Sequence, residues 1–400
     1  MRELLILTSC LVFLLVYLAF ERVRLGRALR RVPSRIAVTG TRGKSGVVRL
    51  IAAGLRESGA RVLAKTTGSK PVLIFPDGSE SELPRPGGPS IREQVRLVSL
   101  AAKTGADTLV CEMMSIGAEC LAVESRRILR PGTLILTNVR LDHLDEMGRR
   151  KDEIARTLAS AIPEQAEIFV PEEELYPVFD GTAALAASHL RPVVPSVAGP
   201  GPGPLPSFEE FEPNARLALA ALMSLGVDGE TAIRGMARAA PDFGGLKIWG
   251  GRFGTPPRPA VCVSAFAANE PESSALVLEK IRRRFPLVSR ALVGLLSLRE
   301  DRGDRTLQWV RAAGEGFFRE FALVVLLGPP ARAALRKIGK LQDRGNAVFF
   351  SLEGSSPEEM MNHVFSRVAG EPVVVGLGNI VGPGERIVRY WEEKGTPCDH

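Results

Sequence analysis

A glycine loop between a strand and a helix constrains the fold of this chain more than any other feature. Residues 35–38 form a mostly apolar run that is typical of a buried strand. From Gly46 to Ser58, apolar residues recur at the spacing of a helix. The loop between these elements reads Thr39-Gly40-Thr41-Arg42-Gly43-Lys44-Ser45. Strand, glycine loop and helix in this order predict a site for the phosphates of a nucleoside triphosphate.

The residue types in the loop support this prediction. Gly40 and Gly43 let the backbone turn tightly and aim its N–H groups at bound phosphates. Lys44 adds a positive charge, and Ser45 offers a hydroxyl to Mg²⁺. The full P-loop pattern has one more glycine, where this chain has Val38, so the loop is a shortened form. The alternative is a simple glycine turn. We expect ATP to contact Gly40, Thr41, Arg42, Gly43, Lys44 and Ser45.

The composition is that of a globular protein. A length of 400 residues, 45% of them hydrophobic, allows two or three domains. The net charge of +7 is accompanied by few aromatic residues and by scattered arginines, which argues against nucleic acid and favours a membrane surface or an acidic substrate. The five cysteines have neither metal-site nor disulfide spacing, which fits a reducing compartment.

The N-terminus predicts a membrane anchor. The run from Leu4 to Phe20 is almost wholly apolar and would extend roughly 25 Å as a helix, slightly less than a bilayer core. The alternative, a cleaved signal peptide, is disfavoured because only Arg2 precedes the run and no small-residue cleavage site follows Glu21. The arginines after the run place the remaining chain in the cytoplasm by the positive-inside rule. They are Arg22, Arg24, Arg27, Arg30, Arg31 and Arg35.

The next segments predict an α/β fold with a doubly wound parallel sheet. Short apolar strands alternate with helices, and the strands end near Thr66, at Glu112 and before Asn138. Ligands of such sheets gather outside the carboxyl ends of the strands, where the glycine loop also lies. A hairpin is expected around Asp77-Gly78.

A second, smaller α/β domain is predicted after a glycine-rich linker. We assign residues 243–245 and 249–252 to this linker, and 196–206 to a proline-rich loop. The predicted domains are therefore 1–32, a membrane anchor with a basic linker, 33–248, an ATP-binding domain, and 249–400, a C-terminal α/β domain.

Three further features accompany the glycine loop. Glu112 ends its strand and provides a hard oxygen ligand. Residues 137–145, Thr-Asn-Val-Arg-Leu-Asp-His-Leu-Asp, combine an amide, carboxylates and the imidazole of His143. Asn214 opens an alanine-rich helix. Each feature alone has a structural alternative, since a strand-terminal Glu is often solvated and an Asp-His pair often caps a helix.

Together and in this order, these features resemble the Mur ligase superfamily of ATP-dependent amide ligases, which includes folylpolyglutamate synthase. The resemblance covers Arg35 to about Leu225. It implies that Lys44 and Ser45 contact the ATP phosphates and Mg²⁺, and that Asn214 lies against the adenine. It also implies that Glu112 and His143 hold two metal ions, so that Ser45, Glu112 and His143 are the metal ligands. The implied catalytic residues are Lys44, Glu112 and His143.

Over nearly the whole chain, the resemblance is narrower, to the ligase subunits of poly-γ-glutamate synthases of the PgsB/CapB type. It is carried by the glycine loop and by residues 265–273 and 301–306. It implies a second domain with ligase function, polymerisation of glutamate through an acyl phosphate, and a small multi-spanning membrane subunit as partner. The implied substrate residues are Asn269, Arg302 and Arg305, and Arg299 is a further candidate.

Two departures from the superfamily pattern leave alternatives open. Many Mur ligases use a carbamylated lysine, yet no lysine occurs from Asp152 to Leu246. The C-terminal motif Asp-Tyr-Ala-His-Asn-Pro lacks its Asp and His here. The alternatives are a Mur-type ligase for another amino acid, or a non-catalytic ATP-binding subunit that gates a polymer exporter.

Overall fold

The computed structural model describes residues 2–68, 71–85, 89–195, 212–240, 246–266, 268–285, 290–341 and 346–398. The chain forms two compact units, Met1–Pro241 and Asp242–His400. The predicted proline-rich loop at 196–206 and the first linker segment at 243–245 lie outside the described residues.

The described part of the first unit contains an eight-stranded sheet in the order β4-β3-β2-β5-β1-β6-β7-β8. The strands are β1 (Ser34–Thr39), β2 (Val62–Thr66), β3 (Val72–Ile74), β4 (Glu80–Glu82), β5 (Thr108–Glu112), β6 (Thr133–Leu136), β7 (Glu167–Pro171) and β8 (His189–Val193). The helices are α1 (Arg2–Arg31), α2 (Lys44–Glu57), α3 (Arg92–Thr104), α4 (Ala118–Ala122), α5 (Leu144–Met147), α6 (Lys151–Ala159), α7 (Pro177–Leu185), α8 (Glu212–Ser224) and α9 (Gly229–Ala237). A π-helical segment, Val123–Leu129, continues α4, and a 3₁₀ turn, Glu172–Glu174, follows β7.

The strand pairing explains why several residues predicted to be functional collect at one edge of the sheet. β1 pairs in parallel with β5 and β6, so that Val38 lies opposite Glu112 and Thr39 lies opposite Leu136. β2 is parallel to β5, whereas β3 and β4 form the predicted antiparallel hairpin. The central strands are buried, with helices packed on the sheet. The predicted α/β fold with a mainly parallel sheet is confirmed.

Helix α1 is one continuous helix that enters the first unit. Its apolar residues from Leu4 to Phe20 are exposed, and it is long and apolar enough to cross a membrane. Its C-terminal end is instead buried, with Ala28 and Leu29 in the apolar core of the unit. The guanidinium of Arg35 donates hydrogen bonds to the carbonyl oxygens of Val32 (2.6 Å) and Leu129 (3.0 Å). Arg35 thus fastens the end of this helix to the sheet.

The described part of the second unit contains a seven-stranded sheet in the order β13-β12-β11-β14-β10-β9-β15. The strands are β9 (Lys247–Phe253), β10 (Arg258–Ser264), β11 (Leu292–Ser297), β12 (Phe321–Leu327), β13 (Val348–Leu352), β14 (Val373–Gly378) and β15 (Gly395–Pro397). The helices are α10 (Pro271–Arg284), α11 (Gly303–Gly314), α12 (Ala331–Ile338), α13 (Pro357–Phe365) and α14 (Glu385–Lys394). β10 to β14 are parallel, and β9 runs antiparallel to β10, so the prediction of a second α/β unit is confirmed.

The prediction that residues 249–252 form a linker is wrong. They lie in β9, where Trp249 is buried and pairs with Cys262 of β10. Gly251 faces Gly395 of β15, and a β-carbon at Gly251 would lie 3.0 Å from the Cα of Gly395. The glycines therefore permit close approach of two strands.

Candidate active site at the carboxyl edge of the first sheet

The glycine loop follows β1 and begins α2, and both of its glycines are structurally required. Gly40 has φ 122° and Gly43 has φ 76°, conformations that L-residues rarely adopt. A β-carbon at Gly40 would lie 2.2 Å from Thr137 Oγ1, and one at Gly43 would lie 2.4 Å from Asn214 Nδ2. The loop can therefore take this shape only with glycine at both positions.

Asn138 holds the loop from the neighbouring strand end. Its Oδ1 accepts hydrogen bonds from Thr41 Oγ1 (2.7 Å) and from the backbone N–H of Arg42 (3.0 Å). Its Nδ2 donates to the Arg42 carbonyl at 3.1 Å. Thr137 Oγ1 donates to the same carbonyl at 2.6 Å. This network fixes the loop. The Thr41 hydroxyl, which was predicted to contact ATP, therefore has a hydrogen-bond partner within the protein.

Lys44 folds back over the loop. Its Nζ donates to the carbonyl oxygens of Gly40 (2.7 Å) and Thr41 (3.3 Å). Burial lowers the pKa of the Lys44 ammonium, and the nearby Glu112 carboxylate opposes this effect. The loop carbonyl oxygens therefore hold the ammonium at the place where bound phosphates would accept its hydrogen bonds instead.

Ser45 and Glu112 form a direct contact between the helix and the adjacent strand end. Ser45 Oγ donates to Glu112 Oε2 at 2.7 Å, and the backbone N–H of Thr67 donates to the same oxygen at 2.7 Å. Glu112 is 3% exposed. The structure thus brings these two predicted metal ligands together.

His143 lies in a separate cluster with Asp142 and Arg42. Arg42 Nη2 is 3.2 Å from Asp142 Oδ2, and His143 Nε2 is 3.7 Å from the same oxygen. The backbone N–H of His143 donates to Asp142 Oδ1 at 3.0 Å, and its φ of 49° is left-handed. Among the described residues, no three His, Cys, Asp or Glu side chains gather as a metal site. The role of His143 as a metal ligand stays a prediction.

Asn214 lies at the start of α8, with its carboxamide directly against Gly43. Two residues on, the buried Arg216 pairs with Glu173 at 2.6 Å. The neighbouring Glu174 pairs with Arg140 at 3.1 Å and accepts from the Val139 N–H at 3.1 Å. The acidic turn after β7 thus ties α8 and the segment after β6 to the same edge, a contact that the sequence pattern did not indicate.

A buried polar network behind Glu112 was also missed. Gln94 of α3 donates to the carbonyl of Glu112 (3.3 Å) and to Glu124 Oε1 (2.5 Å), and its Oε1 accepts from Lys65 (3.1 Å). Glu124 also accepts from the backbone amides of Met114 (3.0 Å) and Ser115 (2.9 Å). This network fixes the backbone on both sides of Glu112. Only the buried polar character of these positions could have signalled it, and that is not visible in one sequence.

The predicted substrate residues lie in the second unit, at the carboxyl ends of its strands. Arg305 is 5% exposed, and its Nη1 donates to Asn379 Oδ1, which follows β14, at 2.9 Å. Arg302 lies 3.4 Å from Asp304. The Asn269 carbonyl accepts from Trp309 Nε1 at 3.3 Å.

Two further residues in the loops after β10 and β11 have partners close by in the sequence. Arg299 pairs with Asp301 at 2.5 Å. Glu270 caps α10 through the N–H groups of Glu272 (2.7 Å) and Ser273 (2.9 Å). Asn379 had not been predicted from the sequence as part of this group.

The residues at the edge of the first sheet fit a triphosphate and a divalent cation. Gly43 gives α2 no side-chain cap, so the first amides of the helix suit an anion. Thr66 Oγ1 and Ser115 Oγ are buried and have no hydrogen-bond partner among the described residues, as expected where a ligand or its water completes the site. Ser45 and Glu112 offer the hard oxygen donors that Mg²⁺ prefers.

Comparisons with protein families match both units. Residues 38–169 match the Mur ligase middle domain, and residues 252–394 match the poly-gamma-glutamate synthase CapB C-terminal domain. The solved structure of E. coli FolC in complex with ADP is similar with a TM-score of 0.68 and 18% identity, covering 93% of this chain and 92% of that one. A bifunctional folylpolyglutamate synthase/dihydrofolate synthase from Yersinia pestis, complexed with AMPPNP and Mn ion, has a TM-score of 0.67 at 16% identity, covering 92% of each chain. These structural likenesses show the fold.

Two curated relatives extend over almost the whole chain. The capsule biosynthesis protein CapB of Bacillus anthracis is 32% identical over 390 residues, 96% of this chain and 82% of the relative. The PGA synthase CapB of Bacillus subtilis is 28% identical over 395 residues, 97% of this chain and 98% of the relative. The resemblance inferred from the motifs is thus confirmed, and the chain belongs to the CapB family of poly-gamma-glutamate synthases.

Proposed function

We propose that this chain is an ATP-dependent ligase that joins glutamate units into poly-γ-glutamate through an acyl-phosphate intermediate. The observation that carries the proposal is the contact between Ser45 and Glu112 beside the glycine loop, in a chain of the CapB family. It provides a cation-binding pair of oxygens next to a phosphate cradle, which is what carboxylate activation by ATP requires.

The first step is phosphoryl transfer. A carboxylate oxygen of the acceptor attacks the γ-phosphorus of ATP, and ADP leaves with the bridging oxygen. The amides at the start of α2 and the Lys44 ammonium hold the phosphates in line and stabilise their charge. A bound Mg²⁺ would neutralise the charge that gathers between two anionic reactants. We assign its binding to Ser45, Glu112 and, in a second position, His143.

The second step forms the amide. The amine of the incoming glutamate attacks the acyl carbon, and inorganic phosphate leaves with the electron pair of the acyl C–O bond. The proton that the attacking amine loses is taken up by the departing phosphate, so that an amide and hydrogen phosphate are released. Asp142 is committed to Arg42 at 3.2 Å, so this carboxylate positions the segment rather than accepting that proton. Asn214, against Gly43, holds the adenine end of the nucleotide in this proposal.

Substrate carboxylates are handled by the second unit. We assign Arg305, Arg302 and Asn269 to glutamate or to the growing polymer. Arg305 Nη1 donates to Asn379 Oδ1 at 2.9 Å, which orients the planar guanidinium, the group that matches a carboxylate in geometry and charge. Arg302 Nε and Nη2 each lie 3.4 Å from one carboxylate oxygen of Asp304.

The enzyme acts at the cell membrane. α1 anchors the chain in the bilayer, and both units lie in the cytoplasm, where ATP is available. A small multi-spanning membrane subunit is the expected partner, because one helix cannot form a passage for a polyanion. Mg²⁺ is the expected cation.

The proposal is tested with full-length protein in membranes together with its membrane subunit. Glutamate-dependent ADP release and γ-linked product are measured for the wild type, for Lys44→Ala and for Glu112→Gln. Lys103→Ala is the matched control, because Lys103 is exposed at the end of α3. We expect both site variants to lose product and the control to retain it.

The same membrane assay with other amino acids, and a second experiment in whole cells, separate the alternatives. ADP release with another amino acid, and none with glutamate, would assign the chain to a different Mur-type reaction. Polymer that still forms inside cells carrying Lys44→Ala, without export, would instead identify an ATP-driven gate.

A further inference from the structure

We infer that the carboxyl edge of the first sheet, with the glycine loop, faces the cytoplasmic leaflet of the lipid bilayer. The inference rests on the membrane anchorage proposed above and adds the direction in which the anchored enzyme points. The partner of this edge is the headgroup surface of the lipid bilayer.

The first turn of α3 lies at the carboxyl edge of the sheet. Glu93 Oε2 accepts from Nζ of Lys65, next to the end of β2, at 2.9 Å. Gln94 donates to the carbonyl of Glu112, the last residue of β5, at 3.3 Å. These two contacts fix the N-terminal end of α3 beside the glycine-loop edge.

The other end of α3 lies at the amino edge. Asp107 follows α3, and its backbone N–H donates to the carbonyl of Arg61, which precedes β2, at 3.0 Å. The Asp107 carbonyl accepts from the N–H of Ser34, the first residue of β1, at 3.3 Å. α3 therefore runs from the carboxyl edge to the amino edge.

The C-terminal half of α1 lies beside α3 and runs in the same direction. At the carboxyl edge, Arg92 Nη2 is 3.3 Å from the hydroxyl of Tyr17 and 3.2 Å from Glu21 Oε1. Toward the amino edge, Ala28 and Leu29 are buried in the apolar cluster that contains residues of α3. Arg35 then holds the Val32 carbonyl at 2.6 Å, where β1 begins.

The lengths of these elements agree. From Tyr17 to Arg31, α1 rises about 21 Å. From Ser34, the first residue of β1 (Ser34–Thr39), to Gly40 the chain returns about 20 Å in the opposite direction. The chain therefore comes back, at Gly40, to about the level of Tyr17 and Glu21.

The apolar residues of α1 that precede Tyr17 project beyond this edge, where they are exposed. The whole run from Leu4 to Phe20 supplies only about 25 Å, less than the roughly 30 Å of a bilayer core. The membrane must therefore reach down to Phe20, which is level with the edge. The Tyr17 ring then lies just inside this boundary, with its hydroxyl at the interface 3.3 Å from Arg92 Nη2, and the exposed Arg22, Arg24 and Arg92 meet the headgroup phosphates.

This arrangement has a chemical consequence. ATP enters, and ADP leaves, in the space between the sheet edge and the lipid surface. The polymer would then have a short path into a membrane passage and would not need to diffuse through the cytoplasm.

Two probe positions on α3 test the direction. Ser90→Cys, just before α3, lies at the carboxyl edge, and Lys103→Cys lies about 16 Å along the helix from its first residue, Arg92. Both side chains are exposed, and neither belongs to the proposed catalytic machinery. Cys10, Cys120 and Cys398 are replaced by serine, which leaves the buried Cys111 and Cys262. Each variant of the full chain carries a nitroxide and is placed in vesicles whose headgroups chelate a paramagnetic ion.

We expect several-fold stronger relaxation of the nitroxide at position 90 than at position 103. Equal relaxation at the two positions, or the reverse order, would overturn the inferred direction while leaving the anchorage intact. Flotation of the vesicles is measured in the same samples. Protein that fails to float with them would overturn both the anchorage and the direction.

Discussion

The carboxamide of Asn214 occupies the space that a β-carbon on Gly43 would need, with Nδ2 only 2.4 Å from the position of that carbon. This relationship joins the first loop of the unit to a helix that begins about 170 residues later. It makes the shape of the glycine loop depend on α8.

The first prediction concerns Gly43→Ala. The substitution meets both the positive φ of 76° and the Asn214 side chain, so the loop must shift. We expect ATP to bind about tenfold more weakly, or about 1.4 kcal/mol, by titration calorimetry of the full chain. Gly59→Ala is the matched control, since Gly59 has φ 92° but no atom within 4 Å of the added carbon. Equal ATP affinity in both variants would contradict the prediction.

The second prediction concerns the cation. Ser45→Ala removes the hydroxyl that lies 2.7 Å from Glu112, so the site loses one oxygen donor. We expect the Mg²⁺ concentration for half-maximal ADP release to rise about tenfold. Ser58→Ala, at the other end of α2, removes a hydroxyl that donates to the Leu55 carbonyl at 2.7 Å, away from the glycine loop, and serves as control. An unchanged Mg²⁺ dependence for Ser45→Ala would remove this residue from the cation site.

The third prediction concerns stability and pH. Lys65 is fully buried and pairs with Glu93 at 2.9 Å, while Arg85 donates two further hydrogen bonds to that carboxylate, each at 2.9 Å. Glu93→Gln leaves the Lys65 charge without its partner, so we expect the free energy of unfolding to fall by about 3 kcal/mol at pH 7. Glu82→Gln, at an exposed position of β4, should have little effect.

Burial opposes ionisation of Glu93, but the hydrogen bonds from Arg85 and Lys65 prevail and lower its pKa from the ordinary 4.5. As the pH falls, the unfolded chain therefore takes up this proton before the folded chain does. The difference between wild type and Glu93→Gln should be complete above pH 4.5 and shrink as the pH falls further. Denaturant unfolding at several pH values measures it, and a difference that grows toward low pH would refute the assignment.

The fourth prediction concerns substrate. Arg305→Lys loses the planar fork that Asn379 orients, so we expect KM for glutamate to rise about tenfold with unchanged ATP affinity. Arg311→Lys changes an exposed residue of the same helix, α11, and should leave KM unaltered. A matching loss of kcat and ATP affinity without a change in KM would argue for a purely structural Arg305.

The sequence allowed prediction of the parts of the fold that depend on local pattern. The loop around Gly40 and Gly43, the strand ending at Glu112 and the helix after Asn214 were identified because periodicity and turn residues act over short distances. The hairpin around Asp77-Gly78 was predicted for the same reason.

The errors and omissions concern contacts between distant segments. Gly251 was assigned to a linker because its partner, Gly395, lies in an edge strand that has no strong pattern. Gln94 and Glu124 have ordinary helical positions in the sequence, and only folding brings them behind Glu112. The roles of Glu112 and His143 as metal ligands, and of Asn269 in substrate binding, stay predictions.

The hydrogen bonds by which Arg35 holds the end of α1 against the first unit affect how the enzyme can be prepared without detergent. The apolar surface on one side of the first unit is covered by Leu25, Ala28, Leu29 and Val32. A shortened protein that starts at Pro33 would expose this surface to solvent. A shortened protein that starts just before Glu21 would lack the apolar run from Leu4 to Phe20 but keep the residues that cover this surface. We expect such a protein to be soluble without detergent.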